Sequence, residues 1–175
     1  MTATYYQIAA SQVLTSSTAY VEFLSIPSTY TDLIIKISAR TSASVTAEGA
    51  STLLTVNGSS TYVTKRFAVY GSTRTDLTEV ENPGTSIKIG GLPGASSGSN
   101  IFSNDEVYIN NYSDSNNKIF NIPTTSLNNI SSGWWITGTG GTWQDSAAIS
   151  SIRLTPSSGS YVTYSSFTLY GITKH

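Results

Sequence analysis

Leu33, Ile35, Ile37 and Ala39 alternate with Ile34, Lys36, Ser38 and Arg40. A period of two is the mark of a strand that buries one face. Short runs of the same kind recur along the chain, bounded by Ser, Gly, Asn and Pro. They predict strands at 4–9, 19–26, 33–40, 53–57, 62–70, 87–89, 106–112, 118–122, 134–137, 149–155 and 166–172. Pro27 ends the second. Asn57-Gly58 lies between two strand-like runs and predicts a hairpin turn, because both residues accept positive φ. Near the end, Phe167 and Leu169 share one face of a segment rich in β-branched and aromatic residues, which reads as a closing core strand. No stretch carries apolar residues at i, i+3, i+4 and i+7, and good helix formers are scarce.

The expected fold is therefore all-β: an antiparallel two-sheet sandwich of about ten strands. Long connections between successive strands favour chains that cross between sheets, so the sandwich is expected to be jelly-roll-like. Residues 1–175 read as one domain, and the Gly/Ser-rich stretch 90–100 as a flexible surface loop rather than a linker.

Composition narrows the function. Charged residues make up 11% of the 175, with a formal net charge of −1. Ser and Thr take their place, at nearly a third of the chain. Such a surface lacks the basic stripe of a nucleic-acid binder and the basic amphipathic helix of a membrane-surface protein. Two readings explain it. All-β proteins collect Thr in strands and Ser in turns. Alternatively, the surface lies against other subunits, where charges are costly to desolvate.

Catalytic chemistry has little to work with. Cysteine is absent and the one histidine is His175. Serine–histidine and cysteine–histidine nucleophiles and His/Cys zinc sites are not expected, and no cofactor motif is present. Asp76, Glu79 and Glu81 fall in an expected loop, and Asp105 and Glu106 at a strand start. Either group could help bind calcium, but neither has calcium-loop spacing, and solvated acids explain both. Gly138-Thr139-Gly140-Gly141 reads as a turn, not a phosphate cradle. The N-terminal residues carry no signal-peptide pattern, which predicts synthesis and use without export through that route.

Aromatic residues are the remaining candidates. Trp134 and Trp135 are adjacent and must point to opposite faces of a strand. One of them belongs to the core; the other, with Trp143, is a candidate for a subunit interface or for stacking on sugar rings.

Several stretches together resemble a known group. They are Tyr30-Thr31-Asp32-Leu33-Ile34-Ile35, Leu54-Thr55-Val56-Asn57-Gly58, Val107-Tyr108-Ile109-Asn110-Asn111-Tyr112, Ala147-Ala148-Ile149-Ser150-Ser151-Ile152-Arg153-Leu154, and the terminal Ser-Phe-Thr-Leu-Tyr-Gly-Ile. This layout resembles the small all-β virion proteins of tailed bacteriophages, including cyanophages. The resemblance implies a non-enzymatic structural protein made in the host cytoplasm and placed on the virion. Its implied role is capsid decoration or cement. It would bind the major capsid protein or other virion proteins as a dimer or trimer. The alternative is a receptor- or carbohydrate-binding module of the tail or a fibre. A missing N-terminal stalk and missing heptads favour decoration.

Overall fold

The structure, a computed structural model, describes residues 5–70, 73–128 and 133–173. Among them are twelve strands in two antiparallel sheets, forming an open sandwich. The small sheet holds β2 (Val21–Phe23), β11 (Ile152–Pro156), β4 (Thr52–Val56) and β7 (Ile87–Ile89), in that order. The large sheet runs β1 (Tyr5–Val13), β12 (Ser166–Thr173), β3 (Asp32–Ser38), β8 (Asn104–Asn110), β9 (Lys118–Leu127), β10 (Trp134–Trp143), β5 (Tyr62–Tyr70) and β6 (Thr73–Gly84).

The pairing has a nested order. β1 pairs with β12, β2 with β11, β3 with β8 and β4 with β7. The pairs fall alternately in the large and small sheets. This is an antiparallel ribbon rolled around a core, the connectivity of a jelly roll, as the long connections led us to expect. Two further strand pairs are inserted into it. β5–β6 interrupts the ribbon between β4 and β7, and β9–β10 between β8 and β11. β9 pairs with β8 and β10 pairs with β5, so the insertions lengthen the large sheet by four strands.

The inner faces supply one core. Ile35, Val107 and Phe167 come from the large sheet, and Leu54, Ile87 and Leu154 from the small one. Phe167 and Leu169 are buried, and β12 lies between β1 and β3 inside the sheet. The terminal strand is thus core, as its pattern predicts.

Four expectations need correction. Asn57 and Gly58 do take positive φ, at 50° and 66°. However, β4 and β5 belong to different sheets, so the pair turns the chain between layers rather than closing a hairpin. The Asn57 carboxamide explains this: it accepts the N–H groups of Ser150 and Ser151 and donates to the Ala148 carbonyl, tying the turn to the approach to β11. Next, Gly138–Gly141 is not a turn but the middle of β10. Gly138 sits where a neighbour comes close; a Cβ on it would lie 2.4 Å from the Phe67 ring. Third, Asp76, Glu79 and Glu81 lie in edge strand β6 rather than a loop; their side chains fall outside the described residues. An edge strand tolerates charge and a proline because one of its sides is unpaired. Finally, the stretch 90–100 is a loop, as expected, but its first half does not lie on the surface. Gly90 to Gly94 are buried, and the Arg40 guanidinium donates to the carbonyls of Ser97, Gly98 and Ile101.

Candidate functional site

β10 fixes where the three tryptophans go. Alternation along it turns Trp135 and Trp143 inward, where both are buried, and leaves Trp134 on the outward face. Trp143 sits in the core, with the Lys118 ammonium 5.9 Å from its ring centre. The three therefore do not form one platform. Only Trp134 faces outward.

The outward face of β9, β10 and β5 carries more. Phe67, Ile119, Leu127, Trp134 and Ile136 are all exposed there, with Phe67 the most open at 60%. This alternation is the reverse of the usual one, in which polar residues face out. Strand register sorts the face into rows. Phe67, Gly138 and Pro123 lie side by side across the three strands, and Lys65, Gly140 and Asn121 form the next row. A depression of about 440 Å³ lies over these six residues. It continues at one end toward Ile119 and Thr142 on β9 and β10, and at the other toward Asn104 and the Lys36–Glu106 ion pair. Sequence reading missed this groove. Its signal was there: Gly138 and Gly140, two apart, must share a face if their segment is a strand.

A second concavity, about 550 Å³, lies on the outer face of the small sheet. Thr55, Ser59, Ser151 and Thr155 line it, with Arg153 held 2.7 Å from Glu22 and over the Tyr20 ring. Arg153 is thereby committed to protein partners. This site is larger, and hydroxyl side chains dominate its lining.

The buried ionisable groups are dispersed. Asp105 points inward from β8 and Glu106 outward, so the two cannot share a cation. The Asp105 carboxyl accepts the Ser103 hydroxyl at 2.7 Å, while its Oδ1 has no hydrogen-bond partner among the described residues. Burial pushes it up to about 7, against the smaller opposing effect of the Ser103 bond. Asp32 accepts from the Tyr108 hydroxyl and the Asn111 N–H. Lys118, fully buried, donates to the carbonyls of Asp114 and Asn116 and so pins the loop before β9. Burial raises the Tyr161 phenol, whose hydroxyl bonds Thr52. No two of these acids face each other across a cleft. Among the described residues no group of three His, Cys, Asp or Glu side chains could hold a metal ion. His175 lies outside the described residues. No described helix is long and apolar enough to cross a membrane.

No family model, no curated protein and no solved structure matches this chain.

Proposed function

We propose that the chain is a non-enzymatic structural protein of a tailed-phage virion, a capsid decoration protein that binds the shell as a symmetric oligomer. The sequence resemblance supports this reading. So does a jelly roll, a fold that also serves viral shells, with a nearly uncharged surface and, among the described residues, no acids paired across a cleft.

The observation that carries it is the β1 edge of the large sheet. β1 pairs with β12 alone among the described residues, and is nine residues long. Ile8 and Val13 stand exposed on it, and Leu24 stands exposed just after β2, the neighbouring edge of the small sheet. A long edge with outward apolar side chains is a template for pairing with another chain. Pairing of β1 with β1 about a two-fold axis joins two copies edge to edge, and the joined edges present Ile8, Val13 and Leu24 to the shell.

Rebinding tests this. The purified chain is mixed with particles stripped of it and sedimented. Ile8→Lys/Val13→Lys places charge on the edge without touching the core. The reading requires wild type to co-sediment and the double variant to stay in the supernatant. Wild type that stays in the supernatant overturns it.

A further inference from the structure

The groove over β9, β10 and β5 is separate from the β1 edge. Between them lie β12, β3 and β8. Neighbouring strands are about 4.8 Å apart, so β1 and β9 stand roughly 19 Å from each other across the sheet.

Two details of the groove point to a ligand. The first is the posture of Phe67. Its Cε1 and Cζ atoms lie 2.4 Å from where a Gly138 Cβ would be. The ring is therefore laid across the sheet onto the neighbouring strand, filling the space the glycine leaves. Phe67 nevertheless remains 60% exposed. A ring lying along the sheet and still open is a flat platform. Pro123 extends it on the far side of Gly138. A knob for a protein socket would stand off the surface instead.

The second detail is Gly140. Its φ is not in the left-handed region, and a Cβ there would meet nothing within 4 Å. Neither backbone conformation nor packing demands glycine. In a strand interior glycine is unfavourable, and one reason to find one without a bulge or a packing role is close approach of another molecule. The open space above Gly140 is flanked by Lys65 on one side and Asn121 on the other. Lys65 has no ion-pair partner among the described residues, whereas Lys36 at the groove's end is paired with Glu106.

An apolar platform beside a row of hydrogen-bonding groups matches a pyranose, with one C–H face and hydroxyls around its rim. Phe67 and Lys65 are two residues apart on one strand face, roughly 7 Å. A ring seated on Phe67 then presents its neighbour's substituents to the Lys65 ammonium, which favours a carboxylate. The groove is open at both ends and runs from Lys36 to Lys65 across five strands. We infer that this groove binds a linear acidic polysaccharide of the uronate type, with a sugar ring stacked on Phe67, a carboxylate at Lys65 and the chain passing over Gly140.

The test is calorimetric titration of the full chain with oligogalacturonate and alginate oligomers, with cello-oligosaccharides of equal length as neutral controls. Wild type should bind the uronates, more weakly as salt rises. Gly140→Val fills the groove where nothing is displaced. It should weaken binding about tenfold or more, a loss of about 1.4 kcal/mol, while the melting temperature holds or rises. Phe67→Leu keeps apolar cover over Gly138 but removes the platform, and should weaken binding comparably. Lys65→Gln should remove the preference for uronates over neutral chains. The assignment is overturned if wild type binds neither uronate at millimolar concentration, or if Gly140→Val binds as wild type does. It is equally overturned if Phe67→Leu abolishes self-association or shell binding, for the face would then be covered by a protein. Particles that retain the chain but bind no uronate remove the groove assignment and leave the decoration reading standing. Uronate binding by a chain absent from particles does the reverse.

Discussion

Replacing Asp105 with asparagine should make this protein more stable above neutral pH and less stable in acid. The carboxyl is buried in the core side of β8, with Ser103 as its one hydrogen-bond donor among the described residues. It holds its proton up to about pH 7, where the unfolded chain releases it near 3.8. Across that window the folded state binds more protons, so this group's contribution to stability is full below 3.8 and is lost as pH rises through 7. A shift of about three units at 1.36 kcal/mol each makes the loss roughly 4 kcal/mol. The asparagine side chain cannot ionise and still accepts the Ser103 hydroxyl. Its buried amide N–H groups lack acceptors, which costs about 1–3 kcal/mol. The net expectation for Asp105→Asn is stabilisation by about 1–3 kcal/mol at pH 8, and destabilisation by up to about 2 kcal/mol at pH 4.5, where the unfolded chain has already begun to ionise. Urea unfolding of both proteins at several pH values reads this. Subtracting one curve from the other cancels carboxylates such as Asp32, whose hydrogen bonds to the Tyr108 hydroxyl and the Asn111 N–H are unchanged in the variant. A difference that stays constant from pH 4.5 to 8 refutes the reasoning.

Other predictions concern the turn and the edge. Asn57→Ala removes the acceptor for two N–H groups, at 2.9 and 3.0 Å, and places alanine at φ 50°. It should cost about 2 kcal/mol and lower the melting temperature by roughly 4–8 °C, measured by calorimetry. If copies pair through β1 as proposed, Ile8→Lys/Val13→Lys should give a monomer in light scattering where the wild type gives an oligomer. Its melting temperature, read on the monomer, should change little, because both side chains are exposed.

The core was legible because alternation is a local signal. Leu33 to Ser38, Ser166 to Thr173 and Thr52 to Val56 all follow from period two, and burial of Phe167 and Leu169 needs nothing else. Three features depended on distant residues instead. β6 carries charges and Pro83 because it is an edge, a fact about neighbours rather than about its own composition. Asn57-Gly58 has the dihedrals of a hairpin turn but is anchored near β11, almost a hundred residues on. Gly138 and Gly140 resemble a turn in isolation. Gly138 between Phe67 and Pro123, and Gly140 between Lys65 and Asn121, become the floor of a groove. The candidate site was hidden for the same reason: three strands contribute to it, and tryptophan drew attention to a neighbouring position whose side chains are mostly core.

Counting the chain in purified particles tests the central claim most directly. Quantitative mass spectrometry against the major capsid protein gives its copy number. A decoration protein must be present at the same order as the shell's symmetry-related sites. Absence from the particles, or the few copies of a tail component, contradicts the account.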